Sequence, residues 1–118
     1  MATLVADYTH ARRWPRYNIS VPVIVVVRRE GKTTLATGRG TELNQGGLAV
    51  FASAELRPGD EVEITFTPPY SSTPLEARCI VRNRNGYTYG LEFLTDTPAD
   101  DIKVEQIRAV LRAFASPQ

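Results

Sequence analysis

The stretch LEARCIVRNRNGYTYGLEFL, residues 75–94, decides the fold. Through Ala77, Cys79 and Val81 its first half, Leu75 to Arg84, alternates apolar with polar side chains, the period-two pattern of a strand that buries one face. Asn85-Gly86 supplies the dipeptide that most readily adopts the positive backbone angles of a two-residue hairpin, and Tyr87 to Leu94 returns as the partner strand. The same alternation precedes it. In Glu61 to Phe66, Val62, Ile64 and Phe66 share one face and Glu61, Glu63 and Thr65 the other. Between the two segments Pro68-Pro69-Tyr70-Ser71-Ser72-Thr73-Pro74 reads as a loop, because three prolines fix φ and withhold donors from a ladder.

Further toward the amino end, Leu48 to Ala52 is a short apolar run of the buried-strand kind, followed by a turn at Glu55-Leu56-Arg57-Pro58-Gly59-Asp60. Ser20 to Arg29 is rich in valine and isoleucine, which suit a pleated surface, and ends at the turn Glu30-Gly31-Lys32. Thr33 to Leu43 reads as a second strand that bends or bulges where Gly38 and Gly40 fall, and Asn44-Gln45-Gly46-Gly47 as a tight connection. The carboxyl end differs in kind. Thr97-Pro98-Ala99-Asp100 offers an N-cap, a proline at the first helical position and a carboxylate beside the free amides of the first turn. Ile102, Gln106-Ile107, Val110-Leu111 and Phe114 then suggest an apolar stripe on a helix over about 98–115, able to pack on its own barrel or, as a homodimer contact, on a second copy. Six strands followed by one helix, without alternating strand and helix units, predict an all-β-dominated chain: a six-stranded antiparallel barrel over about 18–95 with a C-terminal helix. Residues 1–11 are expected to be a flexible lead-in and 12–118 one domain.

The totals narrow the function classes. With 118 residues, 14 lysines and arginines and 13 aspartates and glutamates, the net charge of +1 creates no global field for polyanions, so anion binding must be local. One cysteine, Cys79, excludes an internal disulfide framework, and one histidine, His10, leaves no basis for a cysteine/histidine metal site. The longest aliphatic run, Val21 to Val27, contains Pro22 and falls far short of the ~20 residues of a membrane helix, and no signal-peptide pattern is read at the amino end. No membrane insertion and a cytoplasmic setting are expected. Catalysis is not expected either. Cys79 alternates with apolar neighbours, His10 has no partner identifiable from spacing, and Asp100-Asp101 and Glu61/Glu63 suit a helix start and a wet strand face.

What remains is the cluster RRWPRY, residues 12–17. Guanidinium is planar and permanently charged, so Arg12, Arg13 and Arg16 can grip phosphates in bidentate forks and stack on purines. In isolation the same cluster reads first as a solvated charge patch with Trp14 and Tyr17 in ordinary packing, and Gly46-Gly47 reads equally as a plain hairpin turn.

The placement of that cluster relative to Glu42-Leu43-Asn44-Gln45-Gly46-Gly47 resembles the PilZ family of cyclic di-GMP receptors. PilZ domains carry RxxxR before the first barrel strand and, after the second, an aspartate or asparagine, a serine two residues on and a glycine three beyond. Arg12 and Arg16 match the first element, with Arg13 as the additional arginine, and Glu42, Asn44 and Gly47 fall at the positions of the second. Tyr89-Gly90-Leu91-Glu92-Phe93 is similar to the family's last barrel strand, so the resemblance spans residues 12 to about 114. Glu42 departs by one methylene and Asn44 replaces the serine hydroxyl with an amide. The resemblance implies a cyclic di-GMP receptor in which Arg12, Arg13 and Arg16 wrap the phosphates and stack on guanine. Glu42, Asn44 and Gly47 would then meet a guanine edge, with Gly47 either at positive φ or letting main chain approach the ligand. Gly46 is an accessory residue, and Trp14 would stack on a base or plug the barrel mouth. The N-terminal arm would change conformation on binding and signal to a downstream protein. Two rivals stand beside this reading: a PilZ-like protein-interaction module that has lost the nucleotide, and a nucleic-acid-binding barrel using Arg28, Arg29, Arg78, Arg82 and Arg84. The balance of acidic and basic residues argues against binding a nucleic acid polymer.

Overall fold

The computed structural model describes residues 15–69 and 71–115. Six antiparallel strands, β1 (Tyr17–Arg29), β2 (Lys32–Asn44), β3 (Gly47–Ala52), β4 (Glu61–Phe66), β5 (Leu75–Asn85) and β6 (Thr88–Phe93), precede one helix, α1 (Pro98–Ala115). The strands close into a barrel in the order β1-β2-β3-β6-β5-β4. Closure leaves no long sheet edge to be managed.

The alternation read in the sequence is the inside-outside alternation of the barrel. Val21, Val23, Val25 and Val27 of β1, Leu48 and Val50 of β3, Val62, Ile64 and Phe66 of β4, Ala77, Cys79 and Val81 of β5, and Tyr89, Leu91 and Phe93 of β6 all point into one core. The hairpin between β5 and β6 turns through Gly86 at φ 65°. Strand β1 begins three residues earlier than the sequence suggests, because Tyr17 pairs with Leu43 and Asn18 with Glu42 beyond the valine-rich run.

Tyr89 shows how a polar atom survives in that core. Its hydroxyl is fully buried, yet it accepts from the Leu56 amide at 3.1 Å and donates to the Ala54 carbonyl at 3.0 Å. It thereby braces the loop from β3 to β4 and seats Leu56 inside the barrel, where an unpaired hydroxyl or amide would cost about 1–3 kcal/mol.

Helix α1 begins as its sequence dictates. The Thr97 hydroxyl oxygen accepts from the Asp100 amide at 3.1 Å and its hydroxyl donates to the Asp100 carboxylate at 2.8 Å, a reciprocal cap. Asp100 also receives the Arg78 guanidinium, which donates to Glu61 at 3.0 Å and reaches Asp96 at 3.4 Å. This pins the start of the helix to β4 and β5. Burial would raise the Asp100 pKa, but the Thr97 hydroxyl, the Arg78 hydrogen bond and the Arg78 charge outweigh it and hold the carboxyl below its ordinary value.

The buried face of α1 corrects the expected stripe. Val104, Ile107 and Leu111 are buried on the barrel, whereas Ile102 is exposed. At about 100° per residue, Ile102 stands about 140° from Ile107, while residues 104, 107 and 111 form one seam. That seam packs on the barrel of the same chain, while Ile102 stays exposed and the Phe114 side chain lies outside the described residues. Among the described residues no helix is long and apolar enough to cross a membrane.

Candidate functional site

Two bulges shape the region around the end of β2. Between Asn18 and Val21 of β1, and between Gly40 and Glu42 of β2, the pairing register shifts, so that Thr41 is the extra residue between β2 and β3. The bend expected from Gly38 and Gly40 thus falls just after Gly40. Its consequence is chemical. Ala36 and Gly40 face inward, and an unbroken alternation would carry Glu42 into the core; the extra residue rotates the strand so that Leu43 enters the core and Glu42 turns outward.

Outward-turned Glu42 meets the residue that precedes β1. Arg16 Nη1 lies 3.9 Å from Glu42 Oε2, with both side chains about a quarter to a third exposed. At that distance the pair is a long, half-wet contact of the kind that contributes up to ~1 kcal/mol. Arg12, Arg13 and Trp14, like the lead-in 1–11 and His10, lie outside the described residues.

The residues of the β2–β3 turn hold one another through hydrogen bonds. Asn44, buried, ends β2 and its Oδ1 accepts from the amides of Gly46 at 2.6 Å and Gly47 at 2.9 Å. An asparagine suits this place because its carbonyl reaches main-chain amides two and three residues on. Two longer-range bonds hold the turn from outside. The Phe93 amide donates to the Gly46 carbonyl at 2.9 Å, and the Arg108 Nε of α1 donates to the Gln45 carbonyl at 2.8 Å. Arg108 was not foreseen from the sequence, and no local pattern could have indicated a partner 63 positions away.

Gly47 is neither at positive φ nor on an open surface. The left-handed glycines among the described residues are Gly31, Gly59 and Gly86. Gly47 instead opens β3 opposite Glu92, and a Cβ there would fall on the Leu91 carbonyl oxygen, with the Leu91 carbonyl carbon at 3.1 Å and Glu92 Cα at 3.3 Å. The close approach is to the chain's own β6. The structure thus gathers Arg16, Glu42, Asn44, Gly46 and Gly47 at one corner, with Arg16 and Glu42 presenting charge and the other three shaping the main chain.

The arginines considered for polyanion binding stand elsewhere and are neutralised. Arg28 pairs with Glu63 at 2.6 Å, Arg29 with Asp60, Arg82 with Glu92 at 2.5 Å, and Arg84 with Glu55 at 3.4 Å, in addition to the Arg78 cluster at the helix start. Arg84 also lies over the rings of Tyr87 and Tyr89, 5.7 and 5.6 Å from their centroids. Cys79, fully buried in β5, has its thiol pKa pushed up by loss of solvent, the opposite of what a nucleophile needs.

A closed six-stranded antiparallel barrel with a polar corner at the β2–β3 turn and a C-terminal helix packed beside it defines a small all-β module. A PilZ domain profile matches residues 10–113, and the chain belongs to the PilZ domain family. Among solved structures it is similar to the PilZ domain of CeSA from a cellulose-synthesizing bacterium, at 20% identity and TM-score 0.64, covering 83% of this chain and 98% of that one. It is also similar to the Bacillus subtilis inhibitor of motility MotI/DgrA, at 14% identity and TM-score 0.57, and to MrkH, described as a c-di-GMP-dependent transcription regulatory factor, at 17% and 0.58. These matches cover 90% and 88% of this chain but only 53% and 52% of those chains, so it spans about half the length of either protein. Identities this low establish a shared fold. Among curated protein sequences none matches the chain at a significant level.

Proposed function

We propose that this chain is a cyclic di-GMP receptor of the adaptor type, binding the dinucleotide at the corner where Arg16 meets the β2–β3 turn. The single observation that carries the reading is the Arg16–Glu42 approach. It brings together the two sequence elements through which the family resemblance was read, although 26 positions separate them.

Each residue has a chemically distinct task. Arg16, with Arg12 and Arg13 of the same cluster, supplies guanidinium forks for the two phosphates and flat faces for guanine. Glu42 presents carboxylate oxygens to the N–H donors on a guanine edge, so ligand binding replaces the loose Arg16–Glu42 pair by phosphate on one side and guanine on the other. Asn44 and Gly47 contribute indirectly. With Asn44 Oδ1 committed to two main-chain amides, its role is to hold the turn to which Gly46 and Gly47 belong, and its remaining polar capacity is the amide NH2. Trp14 is the candidate for stacking on a base. Ordering of the arm that carries these residues changes the surface offered to a downstream protein in the cytoplasm, and no chemical step is required.

One observation favours the rival reading of a nucleotide-free interaction module: Glu42 already offsets the charge of Arg16 that a phosphate would need. The neutralised arginines on β1, β5 and their neighbours count against a nucleic acid polymer.

Isothermal calorimetry with cyclic di-GMP separates the readings. Saturable binding is expected for the wild type, weakened at least ~30-fold in Arg16→Ala, since a phosphate loses its charged partner. No heat with the wild type selects the interaction module, and a salt-dependent response to arbitrary oligonucleotides selects the third reading.

A further inference from the structure

Helix α1 is seated by Val104, Ile107 and Leu111 and pinned at its start by the Arg78–Asp100 contact, and the bond from Arg108 to the Gln45 carbonyl adds a direct tie from the helix to the β2–β3 turn. We infer that Arg108 is a positioning residue that latches the β2–β3 turn to α1, so that ligand binding at the turn and docking of the helix reinforce each other. The inference rests on the nucleotide-binding reading above and adds to it the element that carries the signal away from the site.

The geometry supports a latch in three ways. First, the donor is a guanidinium Nε at 2.8 Å, a charge-assisted bond stronger than a neutral one, and it is partly shielded from water. Second, its acceptor is the carbonyl of the residue next to Asn44, in the turn whose two glycine amides Asn44 holds. A shift of Gln45 therefore moves the amides of Gly46 and Gly47 as well. Third, β6 holds the Gly46 carbonyl through Phe93 while α1 lies mainly along β5, so the Arg108 bond runs from the helix straight to the turn rather than through the strands between them. Arg108 links the two directly. Because coupling between two equilibria is reciprocal, a ligand that fixes the turn must tighten α1, and loosening α1 must weaken the ligand.

Three variants test this in the full chain: Arg108→Met, which keeps the aliphatic stem and removes the donor; Arg108→Lys, which restores a cation; and Lys103→Met, which removes an exposed contact of the same helix with Glu76 away from the turn. Without ligand, hydrogen exchange at the Gly46 and Gly47 amides is expected to speed up about tenfold in Arg108→Met, to recover in part in Arg108→Lys, and to stay at the wild-type rate in Lys103→Met. With cyclic di-GMP, the wild type should show slowed exchange in α1 and Arg108→Met should not, while its affinity falls about tenfold. Unchanged exchange at Gly46 and Gly47 in Arg108→Met, or equal acceleration in Lys103→Met, overturns the latch. If the wild type binds no cyclic di-GMP, the receptor reading fails by itself, and the ligand-free exchange still decides whether the latch exists.

Discussion

Replacing Gly47 by alanine is expected to damage the fold before it affects any ligand. The added methyl would be directed onto the Leu91 carbonyl oxygen, and the next atoms in its way, at 3.1 and 3.3 Å, are also main chain, so no side-chain rotation relieves the clash. Carbon and carbonyl oxygen rest comfortably at about 3.3–3.6 Å, so β3 and β6 must part locally by roughly 1 Å or more. Parting loosens the Phe93-to-Gly46 bond, which costs about 1 kcal/mol, and overpacking of a well-ordered backbone adds about 1–3 kcal/mol. The sum, about 2–4 kcal/mol, is a large part of the ~5–15 kcal/mol that holds a domain of this size. Urea denaturation followed by circular dichroism should show the midpoint displaced accordingly at unchanged slope, and the melting temperature should fall by roughly 8–15 °C. An alanine variant within 0.5 kcal/mol of wild type, by the usual limit for harmless substitutions of about that size, would refute the argument and return Gly47 to a role in ligand approach alone.

Two further outcomes follow from buried polar groups. Tyr89→Phe deletes a hydroxyl that satisfies both the Leu56 amide and the Ala54 carbonyl, so a loss of about 2 kcal/mol is expected in chemical denaturation, with exchange rising first at the Leu56 amide. The Asp100 carboxyl, lowered in the folded state, contributes stability that is fully present above its unfolded value near pH 4 and disappears as pH falls through its lower folded value. The stability gap between wild type and Asp100→Asn, measured by denaturation at a series of pH values, should therefore be constant from neutral pH to about pH 5 and close below about pH 4; a gap independent of pH would remove the carboxylate from the account.

Much of this molecule is governed by short-range rules. Side chains alternate across a strand whatever lies beside it, so the inward sets of β4 and β5 could be read directly, and a Thr-Pro-x-Asp start satisfies free amides within four residues, so the beginning of α1 needed no tertiary information. The resemblance to PilZ domains was legible for a similar reason, since it lies in two short motifs. The helix stripe differs from the expectation at Ile102, because the buried seam runs through Val104, Ile107 and Leu111 at three- and four-residue spacings that leave Ile102 on the outer face.

The sequence by itself therefore determined the six strands, the capped helix and the family, because each is set by contacts among residues a few positions apart or by a local motif. Only the tertiary structure decided what the polar groups do. Barrel closure and its bulges turn Glu42 outward toward Arg16, place the Leu91 carbonyl where Gly47 would carry a side chain, give Asp100 its Arg78, and bring Arg108 to Gln45 across 63 positions. Those partners are chosen by register and by the angle at which α1 crosses the barrel, quantities that belong to the closed sheet as a whole and are written in no single segment of the chain.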